Sequence, residues 1–268
     1  MAALTVLLPV GPPPRPHLEA TLGSLAEELP SPDARLLAVF DGTEPTATER
    51  RLLDALQARV AVLPKRDNLG QVLDAGLRLV DTPLTSRIDA DDLWPRSRLS
   101  GQLRFMDAHP DCAVAGSDAT TVDVDGRPLG TLRTGRGRDL RRGLLLRNQL
   151  IHPSTVFRTE LARRAGGYPD VERVEDYGLW LRLAQLGDVL NAPERWLTYR
   201  VHPRQLSRRR VARPGRSLIG ARRAELARHL GVAAVYPSFA QLAWSGAQVC
   251  GRLGLNRLWT RFEGQPAA

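Results

Sequence analysis

The sequence predicts an α/β fold: a mainly parallel sheet flanked by helices, with a helical extension at its C-terminal end. Two observations predict it. Short, continuous apolar runs alternate four times with segments of helical periodicity in the first 110 residues, as expected for strands buried on both faces and joined by helical crossovers. Polar clusters then fall at or soon after the strand ends: Asp41-Gly42-Thr43, Asn68-Leu69-Gly70 and Asp89-Ala90-Asp91-Asp92. Ligands of open α/β sheets sit outside the carboxyl ends of the strands, so these clusters are expected along one rim.

Leu4 to Val10 is the first strand, ended by Gly11 and a proline-rich stretch. His17 to Leu29 carries Leu18, Leu22, Leu25 and Leu29 at helical spacing. Arg35 to Phe40 is the second strand, and Thr46 to Arg59 is a helix with Leu52, Leu53 and Leu56 as its stripe. Val60 to Leu63 is the third strand, and Gln71 to Val80 the helix after it. Leu84 to Ile88 delivers the aspartate cluster, and Ser97 to Ala108 is helical. From there the pattern is mixed. Cys112 to Gly116 reads as a strand, and Ala119 to Leu132 as a hairpin turning at Asp125-Gly126. Leu140 to Arg147 is a short helix, Thr155 to Phe157 a strand, and Thr159 to Ala165 a helix. Glu175 to Leu183 is a helix with acidic residues in its first turn, where the helix dipole favours them. Trp196 to Val201 is a last strand, and Ser217 to Leu230 a helix.

The chain has 268 residues, 43% hydrophobic and 25% charged, ordinary values for a globular protein. The expected organisation is one domain over residues 1–207, with halves 1–110 and 111–207, and an extension over 208–268. Its two cysteines, Cys112 and Cys250, imply no disulfide framework. Met1 to Val10 is too short for a signal peptide, and no run of 18 apolar residues occurs. The expected location is cytoplasmic, or peripheral to the inner face of the membrane. The net charge is +9, and Lys65 is the one lysine among 38 basic residues. Such a charge attracts phosphates. Arg133 to Arg147 and Arg204 to Arg223 are the densest clusters, but no aromatics interleave with them and no nucleic-acid-binding signature is present. No nucleic-acid partner is expected. Residues 231–251 carry no charge; this stretch reads as a helical segment packed on the body, with an interfacial helix on an anionic membrane as the alternative.

Asp89, Asp91 and Asp92 place three carboxylates within four residues. Groups that close repel, and one takes up a proton unless a counter-charge is present. Mg²⁺ or Mn²⁺ supplies that charge and keeps room for substrate phosphates. The plainer reading is a solvated acidic loop capping the next helix. The first turn lacks Gly-x-Gly-x-x-Gly, and there is no Gly-x-x-x-x-Gly-Lys-Ser/Thr loop. A nucleotide's phosphates are then held by a metal rather than by a glycine cradle.

Seven segments, in order, resemble glycosyltransferase family 2: Thr5 to Val10, Val39 to Thr43, Asp89 to Asp92, Ile151-His152-Pro153-Ser154, Gly166-Gly167-Tyr168, Glu175 to Arg182, and Tyr199 to Pro203. They span about residues 4–207. The resemblance implies the GT-A fold and inverting transfer of a sugar from a nucleotide-diphospho-sugar, most readily a UDP-sugar, to a hydroxyl of a glycan, lipid-linked or other acceptor. It implies that Asp41 binds the base, with Pro9 and Val10 lining the base pocket. Asn68, Asp89, Ala90 and Asp91 complete the donor site. Asp91 and Asp92, with His202 nearby, hold Mn²⁺ or Mg²⁺. Asp176 matches the general base, and His152, Glu175 and Trp180 are acceptor-side candidates. The chain departs from the family in three places. Gly11-Pro12 stands where Tyr-Asn is common, Phe40 replaces an aspartate, and the Asn68 to Gly76 segment is short. Two other classes fit parts of the pattern: a metal-dependent nucleotidyltransferase and a non-catalytic nucleotide-sugar-binding protein. The acidic pair Glu175-Asp176 separates the glycosyltransferase from the nucleotidyltransferase, because nucleotidyl transfer has no evident need of a base there, and a turnover assay separates the binding protein.

Overall fold

The computed structural model describes residues 2–135, 137, 139–203, 205 and 213–233. The chain from residue 234, where a helical segment packed on the body is expected and an interfacial helix is the alternative, lies outside the described residues. The strands are β1 (Leu4–Val10), β2 (Ala34–Asp41), β3 (Arg59–Leu63), β4 (Leu84–Arg87), β5 (Cys112–Val122), β6 (Pro128–Leu132), β7 (Val156–Arg158) and β8 (Asp188–Arg200). The helices are α1 (Leu18–Leu25), α2 (Ala47–Ala55), α3 (Leu69–Leu79), α4 (Arg98–Ala108), α5 (Arg141–Leu144), α6 (Thr159–Arg164), α7 (Glu175–Leu183) and α8 (Arg213–His229), with a 3-10 turn at His152–Ser154.

All the strands form one sheet in the order β3-β2-β1-β4-β7-β5-β6, with β8 paired to β5. β1, β2, β3 and β4 are mutually parallel. β7 enters antiparallel between β4 and β5, so the sheet turns mixed where the sequence pattern does. β1 is buried along its whole length, as its unbroken apolar run requires. Its alternate side chains feed two cores. Leu7 faces a core with α3, α6 and α7, while Leu4, Val6 and Leu8 face one with α1 and α4. Gly76 lets α3 lie close on β1, because a Cβ there would meet Leu7 and Val39.

Two expectations about strands are corrected. The expected break after Gly116 is absent, and β5 runs on to Val122. Polar Ser117 sits inside it because its groups are satisfied: its N–H donates to Ser154 Oγ, and its Oγ donates to the Asp118 carbonyl and accepts from the Trp196 N–H. β8 starts at Asp188, eight residues before Trp196. Its pairing to β5 skips from Ala192 to Leu197. Pro193 in that gap cannot donate to a ladder, so the strand bulges there and its first half is hidden from sequence inspection.

α8 begins earlier than expected, at Arg213, and packs on α7. Ile219, Leu226 and Ala227 are its buried apolar positions. Its Arg223 is fully buried and donates to the Tyr177 hydroxyl at 3.0 Å and to the Leu146 carbonyl at 2.7 Å.

The start of α3 is seated against the loop before α7. Asn68 caps the helix by accepting from the Gln71 N–H at 3.1 Å. A side chain on Gly70 would run into the Pro169 carbonyl oxygen and Glu175 Cβ. Gly70→Ala is therefore expected to lower the unfolding free energy by about 1–3 kcal/mol. Urea denaturation checks this, and an unchanged midpoint would show that the two segments are not in contact.

Candidate active site

The parallel register fixes the rim. Val10 pairs with Phe40, so Asp41 follows directly beside the end of β1. Leu7 pairs with Arg87, and the Ile88 N–H donates to the Leu7 carbonyl, so the chain after β4 emerges on the same edge. Asp89, Asp91 and Asp92 converge there, each offering a carboxylate oxygen within 4.8 Å of the others. They do not cap α4, whose cap residue Ser97 makes no side-chain bond.

The end of β8 closes over this cluster. Leu93 and Thr198 exchange backbone hydrogen bonds of 2.9 and 3.1 Å. The Arg200 N–H donates to Asp92 Oδ1 at 2.8 Å, and its Nε donates to the Asp91 carbonyl at 2.9 Å. His202 Nε2 then lies 2.7 Å from Asp91 Oδ2. His17, which the sequence reading passed over, brings its ring centroid to 5.7 Å from that of His202. Burial lowers the pKa of His17, and Arg200 and His202 lower it further.

Asp92 is fully buried, and its Oδ2 has no hydrogen-bond donor. Burial, then the neighbouring Asp91 and Asp89, push its pKa well up. Burial and Asp89 raise that of Asp91, against the pull of His202. Three crowded carboxylates, one with an orphaned buried oxygen, form a donor set of hard oxygens suited to Mg²⁺ or Mn²⁺.

Arg87 stands behind the cluster. Its side chain is fully buried and donates from Nη2 to Asp89 Oδ1 at 2.6 Å. Its Nε and Nη1 have no hydrogen-bond partner among the described residues. Burial disfavours its charge, but the Asp89 carboxylate, Tyr168 and Glu175 together more than offset this, so its pKa is raised. Arg87 also acts electrostatically on Asp176. One buried cation thus has the aspartate tip of β4 and the acidic pair opening α7 in its reach.

Asp176 is half-buried. Its Oδ2 accepts from Asn148 Nδ2 at 2.8 Å, and its Oδ1 accepts from the Tyr177 N–H at 2.6 Å. Burial raises its pKa, while these two hydrogen bonds and Arg87 hold it down. Glu175 is buried, with Oε2 unpartnered. Burial and Asp176 push its pKa up to about 8.

Other expected site residues are placed differently. Trp180 is fully buried between His152 and Phe157, with ring centroids 5.6 and 5.8 Å away. As it stands, the indole packs in the core and turns no face to solvent. His152 is also held in the interior. It is buried, shares a 3.0 Å hydrogen bond with the Tyr168 hydroxyl, and is held neutral by burial and by Arg87. Asn68 caps α3 and donates to Asp170 Oδ1 at 2.7 Å, at the start of the helix that follows β3. Pro9 and Val10 are buried at the end of β1, and half-buried Ala90 lies within the aspartate loop. Asp41 is buried and accepts from the Arg66 N–H at 2.7 Å and from Lys65 Nζ. Phe40, at the family's usual aspartate position, lies under the Arg15 guanidinium at 4.9 Å. Arg15 in turn ties the proline-rich loop to Thr43 and to Glu49, 2.8 Å away.

With this geometry in place, comparison with known proteins is decisive. The family model described as Glycosyl transferase family 2 matches residues 15–164. The chain belongs to glycosyl transferase family 2. It is a glycosyltransferase, and the nucleotidyltransferase and binding-protein readings fall away. It is 28% identical over 198 residues to the amylovoran biosynthesis glycosyltransferase AmsE of Erwinia amylovora, covering 72% of this chain and 74% of that one. It is 26% identical over 170 residues to an Escherichia coli UDP-Gal:alpha-D-GlcNAc-diphosphoundecaprenol beta-1,3-galactosyltransferase, covering 62% of this chain and 61% of that one. Among solved structures, S. aureus TarS 1-349 in complex with UDP-GlcNAc superposes with a TM-score of 0.68 at 14% identity, covering 89% of this chain and 70% of that one. The mannosyltransferase PcManGT of Pyrobaculum calidifontis, solved with GDP-Man and Mn²⁺, gives 0.57 at 18% identity, covering 97% and 83%. These establish the GT-A fold. Among the described residues no helix is long and apolar enough to cross a membrane.

Glu175 has a consequence for stability. Its ordinary value is 4.5 and its folded value about 8, so between these the native state binds more protons than the unfolded state. Stability contributed at this site therefore falls as pH rises across that window. Glu175→Gln is expected to be more stable than the wild type at pH 8, by on the order of 3 kcal/mol, and equal to it near pH 4.5. Parallel denaturant melts at the two pH values, in the presence of a chelator, measure the difference. A gap independent of pH would contradict the assignment.

Proposed function

We propose that the protein transfers a sugar from a nucleotide-diphospho-sugar, preferentially a UDP-sugar, to an acceptor hydroxyl with inversion, using a divalent metal and Asp176 as general base. The catalytic unit is residues 1–207, with the donor bound by 1–110 and the acceptor by 111–207. The observation that carries this reading is the convergence of Asp89, Asp91 and Asp92 on the strand edge that also holds Asp41, with the acidic pair Glu175-Asp176 opening α7 as the candidate base. The names of two relatives support the donor and acceptor classes, since TarS was solved with UDP-GlcNAc and the E. coli galactosyltransferase takes a lipid-diphosphate-linked sugar. A glycan or lipid-linked hydroxyl is the acceptor class adopted here.

Inversion is a single displacement. The acceptor oxygen forms a bond to the anomeric carbon as the bond to the nucleoside diphosphate breaks. Asp176 takes the acceptor's proton, a step that typically contributes about 10²–10⁴-fold. Asn148 and the Tyr177 N–H orient that carboxylate, and Arg87 favours its ionised form. Glu175, held protonated at neutral pH, adds no second negative charge beside the base. At the donor end Asp41 and Lys65 offer an acceptor and a donor to the base, between the walls formed by Pro9 and Val10. Asp91 and Asp92, with Asp89 and His202 alongside, would hold Mn²⁺ or Mg²⁺. When bound, that ion neutralises charge on the leaving diphosphate as a Lewis acid.

Asp176→Asn is expected to lose transfer by about 10²–10⁴-fold while binding UDP as the wild type does. Transfer at the wild-type rate would remove Asp176 from the role of base. In a thermal-denaturation panel of nucleoside diphosphates, UDP with Mn²⁺ at 100 times Kd is expected to add about 2.7 kcal/mol of stability. Asp91→Asn is expected to abolish the metal-dependent part of that gain. Equal stabilisation with and without the ion would speak against a metal at this rim.

A further inference from the structure

Asn148 lies in the loop after α5, outside every motif that brings the family to mind. Its side chain makes two directed contacts. Its Nδ2 donates to Asp176 Oδ2 at 2.8 Å, and its Oδ1 accepts from the Leu150 N–H at 3.2 Å. The second contact matters for the first. It identifies the oxygen end of the amide, so the end turned toward Asp176 is the donor. The loop itself is anchored on both sides. Leu144 and Leu145 are buried before it, and Gln149 Nε2 donates to the Gly143 carbonyl at 2.9 Å after it. The Tyr177 hydroxyl reaches the Leu144 carbonyl, tying α7 to the same segment.

We propose that Asn148 is a positioning residue for Asp176, fixing the rotation of its carboxylate and leaving one lone pair on each oxygen for the acceptor's proton. This rests on the reading of Asp176 as the base. The lone-pair count is direct. A carboxylate has about four acceptor sites on its two oxygens. The Tyr177 N–H takes one on Oδ1, and Asn148 takes one on Oδ2. Without Asn148 the carboxylate is held from one side only and is free to turn about its Cβ–Cγ bond. A hydrogen bond donated to the ionised form also favours that form, which is the form a base must be in. The other charged or titratable groups acting around Asp176 are Arg87 from β4, Glu175 and Tyr177 from α7, and Tyr168 from the α6–α7 loop. His152 stands behind Tyr168, and Arg223 of α8 reaches Tyr177.

Asn148→Asp is the sharpest test, because it keeps the shape and the acceptor for the Leu150 N–H while replacing the donor with a second carboxylate. Asn148→Ser is the second variant, retaining a short hydroxyl donor. The measurement is a carboxyl carbon-13 NMR titration of the full chain, with the Asp176 resonance assigned by its loss in Asp176→Asn. It needs no substrate. In Asn148→Asp the Asp176 midpoint is expected to rise by about one pH unit or more, and in Asn148→Ser by less. A thermal melt of each variant shows whether the fold is retained. If Asn148→Asp does not fold, the Asn148→Ser midpoint decides alone. An Asp176 midpoint unmoved in a folded variant overturns the proposal, since a purely structural loop residue would leave it in place. Wild-type transfer by Asp176→Asn, by contrast, overturns the base assignment itself, so the two failures are distinguishable.

Discussion

A fully buried guanidinium at the end of a central strand constrains everything near it. A charge taken out of water is costly unless it is paired, and Arg87 has its ion pair with Asp89 as the direct compensation. The backbone there is held from several sides. The Arg87 N–H donates to the Thr155 carbonyl, and its own carbonyl accepts from Arg98 Nη2 at 2.6 Å. Arg98, also buried, reaches the Pro153 carbonyl and stacks on Trp94 at 3.9 Å. The strand end therefore has little freedom, and the aspartates that follow it inherit that rigidity. Sites held on rigid elements keep their geometry better than sites on free loops.

The two acidic groups within reach of Arg87 come from segments almost ninety residues apart, and each has its own supports. Residues from β8 secure the aspartate tip: Arg200 binds two backbone carbonyls beyond it, at Asp123 and Val124, as well as Asp92. Packing of α7 against α8 and α5 secures the other pair. Burial raises the pKa of both Glu175 and Asp176, but their surroundings counter it to different degrees. Glu175 finds no donor for its Oε2, whereas Asp176 has a hydrogen bond on each oxygen. Adjacent carboxyl groups in unequal surroundings are a recurrent way of dividing roles at a catalytic site.

Much of the first 110 residues was legible in the sequence, because the strands there are continuous apolar runs and the polar clusters mark the strand ends. The parallel register then brings Asp41 and the aspartate loop to one edge without further information. The second half was less legible for physical reasons. Ser117 looks like a strand breaker until its partners are seen, and Pro193 hides the first half of β8 by forcing a bulge. Trp180 and His152 lay in the right motifs, but burial depends on what packs over a helix face, which local pattern does not state. Arg87 and Asn148 left no signal. An arginine in a strand and an asparagine in a loop are common, and their meaning comes from distant partners.

The central claim is that the tip of β4 and the start of α7 face one reaction centre. A crystal structure of the protein with a UDP-sugar and Mn²⁺ tests it most directly. The account predicts the ion on Asp91, the diphosphate beside it, and the Asp176 carboxylate on the opposite side of the anomeric carbon from the diphosphate. An ion bound away from the β4 tip, or an Asp176 carboxylate turned from the sugar into the protein interior, would contradict it.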